Sequence, residues 1–170
     1  MKMNQELEKK FQEQITLEFE ASMVYRQLAI EADEQDLPGM SAWLRRQADE
    51  EIVHANKFID HVSSRDNHAQ IGAIPAPDVR EGLAPAEIFE AALAHEQRVS
   101  ESIRELYRTS EQAGDLDSRP LLNWFINEQI EEEATVSEIV AQIKLTGEDG
   151  AGLLRLDAQL GDRPNEGTEE

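Results

Sequence analysis

The chain has 170 residues, with 36 Asp and Glu against 16 Lys and Arg for a formal net charge of −20, 39% hydrophobic residues and no cysteine. That is the length of one domain with a sizeable core. The charge excludes a nucleic-acid module and docking on anionic lipid, and the missing cysteine excludes disulfides, thiolate metal sites and a Cys nucleophile.

Turn residues cut the chain into helical pieces. The first is predicted from about Gln5 to Glu34 and is closed by Leu37-Pro38-Gly39; the second runs from about Met40 to Ser64. A stretch from Asn67 to Ala84 holds Gly72, Pro75, Pro77 and Gly82 and reads as a long loop. Pro85 is well placed to open a third helix that runs to Ala113 and stops at Gly114. The fourth follows Ser118, with Pro120 near its start, and runs to about Thr146; Gly147 and Gly150 precede a short fifth helix, about Ala151 to Leu160. The expected domain is 1–161, with 162–170 an acidic, disordered tail. No segment alternates like a strand, and no apolar run approaches the ~18 residues of a membrane span. The opening MKMNQELEKKFQEQ lacks the apolar run of a secretory leader, so the expected location is the cytoplasm.

Long helices joined by short turns form antiparallel pairs. The middle loop, at about 3.3 Å per residue, is long enough to run the length of the bundle and make helices two and three parallel. One long crossover is the topology of ferritin-like four-helix bundles. The expected fold is therefore all-α: such a bundle with a short fifth C-terminal helix.

Each long helix has an apolar stripe at helical spacing, and each stripe is interrupted by an acid near its midpoint. Glu18 sits among Leu7, Phe11, Ile15, Ser22, Tyr25 and Leu28, and Glu51 among Met40, Leu44, Gln47, His54, Phe58 and Val62. Glu96 interrupts Phe89, Ala92, Val99, Ile103 and Leu106, while Gln129 and Glu132 interrupt Leu121, Phe125, Val136, Ile139 and Ile143. Midpoints share one height in a bundle whichever way each helix runs, so the four glutamates should converge on one core layer. Uncompensated buried carboxylates cost several kcal/mol and repel one another. No Lys or Arg occupies these stripes, so a bound cation is the expected compensation. Carboxylates with one imidazole suit Fe, Mn or Zn, and Glu51-x-x-His54 is the spacing used by dimetal carboxylate bundles.

A lone Glu-x-x-His is common by chance in so acidic a chain; the set of four matched midpoints is what carries weight. Tyr25 lies two turns beyond Glu18 on the same face, where a metal-bound carboxylate is one candidate partner for its hydroxyl. Glu50, Glu128 and Glu131 flank the set, as solvated surface acids or as a looser cation position beside the pair. His61, His68 and His95 lack ligand spacing and are expected at the surface; Trp43 and Trp124 are expected to pack.

The segments LEFEASMVY (Leu17–Tyr25), EEIVH (Glu50–His54), AHEQ (Ala94–Gln97) and NEQIEEE (Asn127–Glu133) resemble the bacterial non-haem ferritins, in order and separation, from Glu6 to about Leu160. The resemblance implies a 24-subunit cytoplasmic homo-oligomeric cage. It implies a ferroxidase that oxidises Fe(II) with O₂ or peroxide at a di-iron carboxylate centre and stores ferric mineral. By position, Glu18 and His54 would bind one iron, Glu51 would bridge, and Glu96 and Glu132 would complete the second. Glu50, Glu128 and Glu131, sharing Glu132, match a third iron site. Gln129 matches a glutamine near the second iron, and Tyr25 a tyrosine that supplies an electron. The short fifth helix would line four-fold channels. Bacterioferritin, the haem-carrying relative, has Met where this chain has Ile52 and a second Glu-x-x-His where it has Gln129-x-x-Glu132, so no haem is expected. Two other readings stay open: a rubrerythrin-like dimetal oxidase or peroxidase without storage, and a metal-free helical association module.

Overall fold

The computed structural model describes residues 1–162, and five helices account for nearly all of them outside one long connection: α1 Gln5–Asp33, α2 Pro38–Ser64, α3 Pro85–Gln112, α4 Arg119–Thr146 and α5 Gly150–Asp162. The order and near-boundaries follow the turn residues. The Asn4 side chain caps α1 by accepting from the Leu7 amide at 2.8 Å, and Glu6 and Glu8 complement the positive end of the helix. Proline opens α2 and α3 at a position where no amide is needed, so α2 starts at Pro38, two residues before the expected Met40. The Glu87 carboxylate reaches back to the Ala84 amide at 2.7 Å to close the first turn of α3. Gly114 and Gly147 stop α3 and α4 in the left-handed region, at φ 67° and 53°. Asp162 is the last residue of α5; the rest of the expected tail, 163–170, lies outside the described residues.

The connection from 65 to 84 is a strap laid along α1. Near the start of α1, the His68 amide donates to Glu8 and Gln12 donates to the His68 carbonyl; further on, the Gly72 amide donates to Thr16. At the far end, the Gly82 amide donates to Glu31 and Gln35 donates to the Leu83 carbonyl. The strap therefore carries the chain back up the whole bundle, and α3 starts beside the end of α1. Contacts run in opposite order along α1 and α3 (Tyr25 with Glu96, Glu20 with Arg98, Gln14 with Ser102) and along α1 and α2 (Ser22 with Ala48). Helices α2 and α3 are thus parallel, the single-crossover topology expected.

The core is split in two. One apolar cluster holds Tyr25, Leu28, Met40, Trp43, Leu44, Phe89, Val136, Ile139 and Leu156; the other holds Leu7, Phe11, Ile15, Phe58, Val62, Val99, Ile103, Leu122 and Phe125. Between them lies the layer of Glu18, Glu51, Glu96 and Glu132. In α4 the fully buried leucine is Leu122, with Leu121 only half-buried, because the face of α4 that meets the bundle is rotated slightly from the stripe read in sequence.

The turn of α2 at Gly39 receives α5. The Asp157 carboxylate accepts from the amides of Gly39 and Met40 at 3.1 and 2.7 Å, and Arg46 donates to the Leu160 carbonyl at 2.6 Å. A Cβ on Gly39 would lie 1.8 Å from the Asp157 carbonyl oxygen, so only glycine permits this approach. At the opposite end, Arg65 ties the end of α2 to Asp115 at 2.6 and 2.8 Å, to Ser118 at 2.8 Å and to the Met1 carbonyl at 2.6 Å. No helix among the described residues is long and apolar enough to cross a membrane.

Candidate metal centre

The four midpoint glutamates arrive from four helices and are shut away from solvent: relative exposures are 0% for Glu18, 1% for Glu51, 0% for Glu96 and 6% for Glu132. His54, one turn after Glu51 on α2, is 1% exposed, and its Nδ1 lies 3.3 Å from Glu51 Oε2. Ligand atoms of Glu18, Glu51 and His54 all lie within 4.8 Å of one another. A second group with the same spread is Glu50, His54, Glu128 and Glu132. His54 belongs to both, so the two groups are contiguous.

Hydrogen bonds hold most of the carboxylates from behind. Gln14 donates to Glu18 Oε1 at 2.7 Å and is itself fixed by the Ser102 hydroxyl at 2.6 Å. Tyr25 donates to Glu96 Oε1 at 2.5 Å. Gln129 donates to Glu96 Oε2 at 3.1 Å and lies 3.2 Å from the Ser100 hydroxyl. Gln47 donates to Glu132 Oε2 at 2.9 Å. Glu18 Oε2 is buried and has no hydrogen-bond partner among the described residues. An orphaned buried carboxylate oxygen is rare and calls for an ion or a proton.

Charge compensation from Lys or Arg is lacking among the described residues, and His54 beside Glu51 is the one cationic candidate set against four carboxyls. No Lys or Arg among the described residues pairs with Glu18, Glu51, Glu96 or Glu132; Arg26 pairs with Asp49 and Arg98 with Glu20. Burial, reinforced by the Glu51 charge, pushes Glu18 well above the usual carboxylate range. Burial and Glu96 do the same for Glu51; burial with Glu96 and Glu51 does it for Glu132. Glu96 is also raised by burial, held back by the bonds from Tyr25 and Gln129. Burial, then the neighbouring Glu96, pushes the Tyr25 phenol well above its ordinary value. Burial thus favours the protonated over the ionised carboxyls in this layer, and its donors, carboxylate oxygens and one imidazole, fit Fe, Mn or Zn.

Glu50 and Glu128, both half-buried, come together with His54 and Glu132. Burial raises Glu128, and the Glu131 charge adds to it. Glu131 itself is exposed and stands outside both groups. Gln129 is buried and hydrogen-bonded to Glu96 rather than turned to solvent. The sequence did not single out Gln14, Ser100 or Ser102 as parts of the site; Gln14 sits one turn before Glu18, which is the available signal. Gln47 was legible as a polar stripe residue without its partner. His95 is buried, contrary to the surface position expected, because α1 covers that side of α3; its Nε2 has no partner among the described residues, and burial lowers its pKa to about 4. His61 is half-buried against Phe11 and the Ser118 hydroxyl, also away from the expected surface position, whereas His68 is exposed. Trp43 packs between Tyr25 and Phe89, while Trp124 is partly exposed with its edge against His54.

A family profile described as a ferritin-like domain matches residues 8–146. The chain is 30% identical over 155 residues to the bacterial non-heme ferritin of Escherichia coli O157:H7, covering 91% of this chain and 93% of that protein. It is 33% identical over 158 residues to the bacterial non-heme ferritin of Campylobacter jejuni, covering 93% and 94%. Among solved structures, an open-pore ferritin from the archaeon Archaeoglobus fulgidus superposes with a TM-score of 0.91 at 34% identity, covering 95% of this chain and 98% of that one. An engineered closed form of the same ferritin gives 0.92 at the same identity and coverage. A likeness this even, running through the long strap as well as the four long helices, shows that the chain belongs to the ferritin family.

Proposed function

We propose that this protein is a ferroxidase and iron store, in which Fe(II) is the substrate of the buried carboxylate layer. Glu18 and His54 hold one Fe(II), Glu96 and Glu132 hold another, and Glu51 bridges them at the roughly 3.5–4 Å spacing usual for two-metal sites. The observation that carries this reading is the Glu18–Glu51–His54 group: buried, without a Lys or Arg counter-charge among the described residues, and with one carboxylate oxygen left without a partner among them.

Cation binding displaces the protons that burial holds on these carboxyls, so loading releases protons. Anionic ligands favour Fe(III) over Fe(II), which drives the oxidation. Each Fe(II) gives up one electron; a pair reduces one O₂, with two protons, to H₂O₂, or reduces one peroxide to water. Tyr25, bonded to Glu96, fixes the orientation of a ligand of the second position and lies in reach to give a further electron. Gln129 and Gln47 orient Glu96 and Glu132. Glu50 and Glu128, with Glu131 at their solvent side and Glu132 shared, form an outer cation position through which ferric product passes to storage. Ile52 offers no metal ligand, so the reading includes no haem.

The storage compartment in this reading is a cytoplasmic 24-subunit cage, about 460 kDa for a 19.2 kDa chain. It is supported by the ferritin structures that the chain resembles over nearly its whole length. The test is O₂ consumption on mixing Fe(II) with the purified protein, together with its size in solution. Wild type should show a fast phase that Glu51→Ala and His54→Ala slow at least tenfold while the particle stays assembled. A wild-type rate no better than buffer would overturn the ferroxidase reading, and a monomer would overturn the storage reading.

A further inference from the structure

Below the outer position the α2–α4 seam carries one positive charge. Along antiparallel α2 and α4, Glu50 and His54 meet Glu128 and Glu132, and one turn further His54 and Lys57 meet Trp124. Lys57 is half-buried, and its ammonium sits 4.5 Å from the centroid of the Trp124 ring. Trp124 is held in turn by His54, at 5.7 Å between ring centroids, and by Phe125, at 4.8 Å. Lys57 has no carboxylate within 4.0 Å among the described residues, in a chain where most cations on the long helices make such pairs. Its charge nevertheless reaches the outer acids, since it opposes the upward push on Glu128. The ring therefore keeps a cation close to a cation site without letting it occupy that site.

We propose that Lys57, perched on Trp124, is a fixed counter-charge that weakens the outer Glu50–Glu128 position for metal ions, so that an ion there is passed on rather than kept. This rests on the outer position proposed above. A strongly acidic cluster with no opposing charge would retain a trivalent product, and a lysine bonded directly to Glu128 would block entry. A charge one helical turn away does neither: it lowers affinity through space. For a divalent ion about 8 Å from a unit charge across water-like surroundings, with an effective dielectric of about 60–80, the effect is about five- to tenfold in affinity at low salt, and it shrinks as salt screens it.

The test uses the intact metal-stripped protein and Zn(II), which has no redox chemistry, in calorimetric titrations followed also by Trp124 fluorescence. Wild type should show two tight Zn(II) steps and one weaker step per subunit. Lys57→Gln should tighten the weak step five- to tenfold and leave the two tight steps unchanged. The gap should fall below twofold at 0.5 M NaCl. Lys57→Arg, which keeps the charge over the ring, should behave as wild type. A weak step within twofold of wild type in Lys57→Gln at low salt, or an arginine variant that behaves like the glutamine one, overturns the role of Lys57. Glu128→Gln is the separate check on the outer position. If it leaves the weak step intact, that position is not where the third ion binds, and the proposal falls with it.

Discussion

Replacing Glu51 by Gln should make the metal-free protein more stable, and increasingly so as pH rises. Four buried carboxyls have pKa values raised by burial and by one another. In the unfolded chain such groups lose their protons near 4.5. Above that pH the native state binds more protons than the unfolded state, so native stability declines with rising pH until the carboxyls ionise in the fold. Each group still protonated in the fold contributes a decline of about 1.4 kcal/mol per pH unit. An amide at position 51 removes one such group, so wherever Glu51 keeps its proton in the fold the stability difference, variant minus wild type, should grow by up to about 1.4 kcal/mol per pH unit. For a chain of this size that is about 3–6 °C of apparent melting temperature per pH unit. The assay is calorimetry of metal-stripped wild type and Glu51→Gln from pH 5 to 7.5, repeated with excess Zn(II). Metal should reverse the wild-type trend, because binding competes with protons and strengthens with pH, and should do little for the variant. Parallel wild-type and variant curves without metal would refute the reasoning, because the layer would then hold no displaced protons.

Two further outcomes follow from packing. Phe125→Ala should destabilise the protein by about 3–5 kcal/mol in chemical denaturation, because Phe125 stacks on Phe58 at 4.0 Å and braces His54; Zn(II) affinity should fall with it, and unchanged affinity would show that His54 is positioned without that ring. Gly39→Ala should undock α5, because the added methyl meets the Asp157 backbone; hydrogen exchange over Gly150–Asp162 should rise by at least tenfold while α1 to α4 stay protected, and unaltered exchange would refute the close approach.

Helix lengths and the height at which an acid interrupts each stripe are enough to place the layer. Glu18, Glu51, Glu96 and Glu132 are legible on that basis, and so is the crossover, from loop length alone. What supports them was not legible. Which carboxylate Gln14 and Gln47 meet, and which glutamine Ser102 and Ser100 brace, depends on the offset between neighbouring helices, to within a fraction of a turn, and a stripe does not encode that offset. The same reason hides the burial of His95 and the choice of Leu122 over Leu121. Asp157 shows another limit: nothing in the short fifth helix marks its partner, yet it accepts two amides at the start of α2 from 117 and 118 residues away in sequence.

The strap along α1 divides the chain into two hairpins, α1–α2 and α3–α4, and the carboxylate layer lies on the seam between them. Glu18, Glu51 and His54 all belong to the first hairpin, within a stretch of 37 residues that closes by local contacts. Glu96 and Glu132 belong to the second. The first hairpin thus brings a nearly complete half-site by itself, while the second half-site and the outer position exist only after the hairpins dock. In the proposed reading, metal bound at both positions would fasten the two halves to each other, so the number of ions held per subunit would report on the assembly of the bundle itself.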